Sequence, residues 1–141
     1  MNALTFPILK LLADGKFHSG EDIARHFNVG RTSVWNALQH AEELGVEVFS
    51  VQGRGYKLPQ PVDLLDEQSI LSSLSEQRLP LQLEVHDHLP STNSYLMQNI
   101  NEARHATCVA ANLQTSGRGR RGRTWHAGLG ASLTFSLLWR F

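Results

Sequence analysis

The sequence predicts an α+β protein in two parts: an N-terminal winged helix-turn-helix over residues 1–60 and a mixed domain of helices and strands over residues 61–141. Three observations predict this. Apolar residues recur at helical spacing in three short segments, two alternating segments then flank a glycine turn, and Pro59 and Pro61 interrupt helix and strand alike. With 141 residues, 41% of them hydrophobic, the chain suffices for one ordinary domain or two small ones.

The first part begins with three predicted helices. Apolar periodicity indicates a helix over residues 3–13, and Ser19 is a good N-cap for a second one. Asn28 and Gly30 tolerate the backbone angles of a tight turn, after which a third helix is expected over 31–44. Two short helices joined by a tight turn form a helix-turn-helix.

The third helix carries a polar face that fits the major groove of DNA. Its side chains can donate or accept hydrogen bonds at base edges or phosphates. That face comprises Arg31, Thr32, Ser33, Asn36, Gln39 and His40. Predicted strands over 46–51 and 56–58 then form a hairpin, the wing, with Arg54 at its tip for a backbone phosphate.

A helical domain that binds protein is the opposing interpretation of residues 1–60. Six basic and six acidic residues balance there, which favours that interpretation. We nevertheless expect DNA binding, by a dimer, because phosphate neutralisation supplies much of the affinity and a neutral monomer would bind weakly.

The second part alternates helices and strands. Its helices are expected over 63–76 and after Ser91, and its strands over 81–85, 107–112 and 131–139. On sequence alone, Ser91 and Thr92 are better explained as helix N-caps than as ligand contacts. Trp125 and Trp139 are expected to lie mostly in the core, with Trp125 the better candidate to face a ligand.

The most informative stretch is 114–125, where three glycines separate four arginines. These are Gly117, Gly119 and Gly122, and Arg118, Arg120, Arg121 and Arg123. A glycine backbone can approach a ligand closely, and guanidinium groups match phosphate oxygens in pairs. The stretch therefore predicts a loop that folds over an anion such as phosphate.

Other glycine-rich motifs fit this stretch less well. Gly117, Gly119 and Gly122 have dinucleotide-binding spacing, but a strand rather than a helix is expected next. Neither the lysine strand of a protein kinase nor the Gly-Lys-Ser/Thr of a P-loop follows. A disordered Arg-Gly linker or RNA-binding tract remains an alternative. The flanking strands and Trp125 favour an ordered loop.

Composition excludes several classes of protein. The single cysteine, Cys108, cannot form an intrachain disulfide, which fits a reducing compartment. The N-terminus has neither the pattern of a signal peptide nor the length of a membrane span, so we expect a cytoplasmic protein without a membrane partner. His86 and His88 share a strand face but lack a third ligand at convincing spacing, so no metal site is predicted.

Together these motifs resemble the bacterial bifunctional biotin–protein ligase and biotin operon repressor family. The resemblance rests on the winged helix, on Ser91-Thr92-Asn93 at the start of a helix, and on the Gln-x-x-Gly-Arg-Gly-Arg-Arg-Gly-Arg-x-Trp segment that begins at Gln114. It covers nearly the whole chain. It implies that residues 61–141 are the first portion of a class II synthetase-like catalytic domain.

The resemblance implies a two-step reaction. The carboxylate of biotin attacks the α-phosphate of ATP, which gives biotinyl-5′-adenylate and pyrophosphate. A lysine of the biotin carboxyl carrier protein then displaces AMP. ATP, accompanied by Mg²⁺, and biotin would be substrates, with no tightly bound cofactor. The adenylate would also act as corepressor, favouring a homodimer that binds operator DNA.

The resemblance also implies the site residues. Contacts to biotin or the adenylate fall on Ser91, Thr92, Asn93, Gln114, Arg118, Gly119, Arg120 and Trp125. Arg118 and Arg120 would be catalytic, because cations aimed at the phosphates stabilise the charge that develops there.

Two departures and two alternatives accompany the resemblance. Pro90 stands where an Asp is common, and no Lys-Trp-Pro-Asn-Asp segment, whose lysine contacts the adenylate, occurs in the 141 residues. We therefore expect a fragment or truncated product that by itself gives little or no biotinylation. The alternatives are a DNA-binding regulator whose second domain senses a ligand without catalysis, and a lipoate ligase relative, against which the winged helix argues.

Overall fold

The computed structural model describes residues 2–78 and 80–141. It divides into two compact units, Met1–Leu64 and Leu65–Phe141. The first unit extends past the sequence-based boundary at residue 60 because Val62 N–H donates to the Ala13 carbonyl and Pro61 packs against Gly15. None of the helices in this described part of the chain is long and apolar enough to cross a membrane.

The first unit has three helices and a two-stranded hairpin. They are α1 (Thr5–Leu12), α2 (Gly20–Phe27), α3 (Arg31–Glu43), β1 (Phe49–Val51) and β2 (Gly55–Lys57). Ser19 caps α2 by accepting a hydrogen bond from Asp22 N–H at 3.0 Å, and Asn28 adopts the left-handed conformation (φ 53°) that ends it. The core between the helices contains fully buried Ile8, Leu12 and Val34.

The first wing strand is shorter than the predicted 46–51. Gly45, at φ 86°, and Val46 instead end α3, with their N–H groups donating to the carbonyls of Glu42 and Ala41 at 2.9 and 3.0 Å. This pair of bonds is a Schellman motif, which satisfies the last carbonyls of the helix. Val46 is therefore buried as part of a helix cap rather than paired in the wing.

The wing is held against the segment before α2. His18 and Tyr56 exchange backbone hydrogen bonds of 2.9 and 2.8 Å. Gly55, at φ 104°, lies so close to His18 that a Cβ there would overlap its backbone carbonyl. Only glycine fits this crossing, because it tolerates the positive φ and has no side chain to clash.

The second unit is a four-stranded mixed sheet with two helices. Its elements are α4 (Glu67–Glu76), β3 (Gln82–Leu89), α5 (Thr92–Gln98), β4 (Thr107–Arg118), β5 (Thr124–Ala127) and β6 (Thr134–Leu138). β4 is the central strand. On one side it pairs in parallel with β3. On the other side it pairs antiparallel with β6 along its first half and with β5 at its end. The core contains Leu89, Leu96, Val109 and Ala111.

The arginine-glycine stretch is a hairpin rather than a loop over its whole length. β4 continues through Arg118 and β5 begins at Thr124, so only a short connection with a 3-10 turn at Arg120–Gly122 lies between them. β5 was not among the strands expected from the sequence, and Thr124–Ala127 pairs with β4 before the strand expected over 131–139 begins.

The expectation that Trp125 and Trp139 are mostly core was wrong. Each side chain is 54% exposed. Along β6 only every second residue turns to α5 and the core, as Ser136 and Leu138 do, while Phe135 and Leu137 are exposed. Trp139 follows in the exposed phase of this alternation.

Candidate functional site

A cleft of about 710 Å³ opens where the parallel pairing of β3 and β4 ends, at Leu89 and Gln114. Such crevices are the usual ligand sites of parallel strands, because chain segments diverge there. The cleft brings together seven of the residues predicted from the sequence: Ser91, Thr92, Asn93, Gln114, Arg118, Gly119 and Trp125. It is also lined by Gly122 of the arginine-glycine stretch and by residues that the sequence did not single out: Ser132, Leu133, Thr134 and Phe135.

A hydrogen-bond network fixes the polar wall of this cleft. Ser91 caps α5 by accepting from Ser94 N–H, as the sequence suggested. Thr92 N–H donates to Gln114 Oε1 at 2.9 Å, and its Oγ1 lies 2.9 Å from Ser136 Oγ. These groups are largely buried, so their hydrogen bonds hold the Gln114 amide in one orientation.

The backbone next to Gln114 is shaped for this amide. One extra residue on β4 between Gln114 and Gly117 makes a bulge against β5, and bulges redirect side chains at sites. Gly117 is buried, and a Cβ on it would overlap Gln114 Nε2 and crowd the Trp125 carbonyl oxygen. The absence of a side chain at Gly117 therefore lets the Gln114 amide and the Trp125 backbone pack closely inside the site.

Arg118 is the arginine that the structure places in the cleft. Its Nη2 donates to Ser94 Oγ at 2.8 Å, which directs the guanidinium toward the start of α5. Gly119 N–H donates to the Arg123 carbonyl at 2.6 Å, and Arg121 takes the left-handed conformation (φ 58°) at the tip of the turn. The side chain of Arg120, predicted to hold the adenylate, is exposed on this turn and does not line the cleft.

The cleft suits an anion that also has an apolar part. Arg118 supplies positive charge, and none of the described residues that line the cleft is acidic. Hydroxyl and amide groups form one wall, while Trp125, Leu133 and Phe135 add exposed apolar surface. No group of His, Cys, Asp and Glu among the described residues could hold a metal ion. Burial raises the pKa of the Cys108 thiol at the start of β4, which disfavours a thiolate nucleophile there.

In the first unit, most of the predicted DNA face is accessible. Arg31, Thr32 and Asn36 are exposed, Ser33 and Gln39 are half-buried, and Gln39 Nε2 lies 3.4 Å from Glu42 Oε2. Arg54 is exposed at the wing tip, with its guanidinium 4.3 Å from the centre of the Phe17 ring.

His40 is directed elsewhere. Its Nδ1 lies 2.9 Å from Thr5 Oγ1, and that hydroxyl also lies 3.0 Å from the Ala37 carbonyl oxygen, to which it donates. Because the hydroxyl has one proton, Nδ1 is the donor to Thr5. The structure thus places His40 against α1 rather than with Arg31 and Asn36. Sequence reasoning also omitted Trp35, which directly precedes Asn36 on α3 and is 54% exposed.

Comparison with known proteins supports both halves of this description. Residues 5–57 match an HTH domain family, and residues 85–141 match the biotin/lipoate A/B protein ligase family. The chain is 42% identical to the bifunctional ligase/repressor BirA of Salmonella typhimurium, over 99% of this chain and 43% of that protein. Over nearly its whole length the chain is thus similar to the N-terminal part of a bifunctional ligase/repressor.

Two further members of that family agree. The Escherichia coli protein of the same name is 39% identical over 99% of this chain and 42% of its own length. The Bacillus subtilis one is 35% identical over 91% of this chain and 40% of its own length. The chain thus spans about two fifths of these curated relatives. The family resemblance and the α+β architecture predicted from the sequence are confirmed.

Proposed function

We propose that this chain is the DNA-reading and first ligand-binding part of a biotin–protein ligase that is also a biotin operon repressor. The complete reaction would adenylate biotin with ATP and transfer it to a lysine of the biotin carboxyl carrier protein. The observation that carries the proposal is the cleft, where Gln114, Arg118 and Trp125 converge with the Ser91–Asn93 segment in a chain that also has a winged helix.

Different walls of the cleft would bind different parts of the ligand. Biotin has a polar ureido ring, an apolar chain and a carboxylate, and the Thr92 and Gln114 groups would bind its polar ring. Two anions, the carboxylate and the α-phosphate, must approach each other, so the Arg118 guanidinium would lower the electrostatic barrier. Trp125 would pack near the adenine.

The connection between β4 and β5 would close over the adenylate. Gly119 and Gly122 flank Arg120 and Arg121, so the turn can change its backbone angles when a phosphate arrives. Arg120 would reach the adenylate in that closed form, and Mg²⁺ would enter with ATP. Closure would also keep water from the mixed anhydride.

The winged helix would read operator DNA, with biotinyl-5′-AMP as corepressor. Arg31, Thr32 and Asn36 are exposed on α3, and Arg54, exposed at the wing tip, would contact a phosphate. Adenylate binding would favour a homodimer, which couples the ligand site to DNA affinity.

Calorimetric titration with a non-hydrolysable biotinyl-adenylate analogue tests the ligand site. Arg118→Ala should weaken binding at least tenfold, because hydrogen bonds to charged groups contribute about 1.5–3 kcal/mol. Arg121→Ala is the matched control: it removes the same charge at the tip of the same turn, outside the cleft lining. Equal losses for both variants would show that the turn acts only through its overall charge.

Lipoate is the second candidate substrate, because the matched family includes lipoate ligases as well as biotin ligases. Both acids form adenylates by the same chemistry. Competition between biotin and lipoate for the cleft decides between them, and preferential displacement by lipoate would overturn the biotin assignment. Pyrophosphate exchange with ATP would separate catalysis from ligand sensing alone.

A further inference from the structure

The helix that carries the predicted DNA face also presents a large aromatic side chain to solvent. Trp35 is 54% exposed, although α3 buries its neighbours Val34 and Ala37. It lies three residues after Thr32 and four after Arg31, so the three share one face of the helix. An indole among polar side chains on such a face leaves apolar surface available to a partner.

The wing adds a second apolar side chain next to this indole. Val51, at the end of β1, is 42% exposed. A cleft of about 430 Å³ lies between α3 and the wing, and Trp35, Val51, Thr32 and Arg31 are among the residues that line it. The hydrogen bonds between Tyr56 and His18 hold the wing in place, so the cleft belongs to one folded unit.

One cation lines this apolar cleft, and two more lie on the wing. Arg31 lines the cleft, and none of its described lining residues is acidic. On the wing, outside the cleft lining, the Arg54 guanidinium lies 4.3 Å and the Lys57 ammonium 5.3 Å from the centre of the same Phe17 ring. Such cation–π contacts hold both cations close to the wing.

An apolar contact surface lined by a cation, with further cations on the same wing, matches the chemistry of duplex DNA. Phosphates run along both edges of the major groove, and thymine presents a methyl group on its floor. Apolar side chains recognise that methyl, whereas the polar side chains of α3 bind the other base edges. An acidic peptide with apolar residues would also satisfy the cations, but the polar side chains of α3, which match base edges, favour DNA.

We propose that Trp35 and Val51 form a contact for the C5-methyl group of thymine, which makes Trp35 a specificity-determining residue. The inference rests on the proposed DNA-binding function and adds which base the α3–wing cleft reads. Arg31 and Arg54 hold the backbone on either side, so the indole meets the base edge.

Thymine-to-uracil replacement tests this, because uracil lacks only the C5-methyl. Duplexes enriched from a randomised pool by the 141-residue chain are resynthesised with uracil at each thymine in turn, and affinities are measured by fluorescence anisotropy. The wild-type chain should lose about three- to fivefold in affinity at one or more positions, the value of one buried methyl group. Trp35→Ala should bind both bases equally at those positions, and Trp35→Phe should keep part of the preference.

Trp139→Ala is the matched control, since Trp139 is also 54% exposed but lies in the other unit. It should keep the full thymine preference. If Trp35→Ala keeps the wild-type preference, the proposal is overturned while DNA binding stands. If the wild-type chain shows no thymine preference at any position, the proposal is overturned whether or not the variants fold. If the folded chain enriches no duplex with a biotinyl-adenylate analogue present, DNA binding itself fails together with this inference.

Discussion

The two units of the molecule bury their apolar residues to very different extents. Among the largest fully buried side chains, Ile8, Leu9, Leu12, Ile23 and Leu58 all belong to the first unit, and Val109 is the large apolar one from the second. The second unit instead exposes an apolar stripe along β6: Leu133, Phe135, Leu137 and Trp139. Within these 141 residues, the first unit therefore gains more stability from burial than the second.

The largest effect is expected when the losses of unfolding free energy are compared for two alanine substitutions, one in each unit. Leu9→Ala in the first unit should cost about 2–5 kcal/mol of unfolding free energy, because Leu9 is fully buried and its removal leaves a cavity. Phe135→Ala, at a side chain 53% exposed, should cost less than about 1 kcal/mol. Urea denaturation followed by circular dichroism measures both. Similar costs at the two positions would contradict the proposed contrast.

A second test concerns the wing of the first unit. Gly55→Ala should cost more than Gly53→Ala, although both glycines have positive φ, because only at Gly55 would the new Cβ overlap the backbone of His18. The left-handed strain common to both is about 1–2 kcal/mol. The additional loss of stability in Gly55→Ala measures how firmly the wing packs against His18. Thermal melts of the two variants give it directly, and equal melting temperatures would mean that the wing is free to move away.

The smallest effect is expected in the second unit, at a residue that only the structure identifies. Ser136→Ala removes the hydroxyl 2.9 Å from Thr92 Oγ1 and so loosens the Thr92–Gln114 pair. One such hydrogen bond is worth about 0.5–1.5 kcal/mol, so affinity for biotin should fall about two- to tenfold. Ser73→Ala, on exposed α4, is the control for a serine remote from the cleft. Unchanged affinity for Ser136→Ala would remove this hydroxyl from the site.

Much of the site was predictable because its residues are close in sequence or share one motif. Ser91, Thr92 and Asn93 follow one another, and Gln114, Arg118, Gly119 and Trp125 fall within one hairpin, so the family resemblance could assign both groups from short motifs. Ser136 was missed because its partner Thr92 lies 44 residues away and an isolated serine on a strand carries no local signal. Trp35 was missed because aromatic residues on a helix are more often core than surface.

What the sequence determined by itself is the local structure: the Ser19 and Ser91 caps, the left-handed Asn28, and the glycine-flanked turn of arginines. These depend on hydrogen bonds and backbone angles within a few residues, which side-chain chemistry sets directly. Tertiary structure alone decided that β4 continues through Arg118 and that His40 turns to Thr5. Strand pairing and buried polar contacts join distant residues, and their geometry exists only once the sheet and the helices have packed.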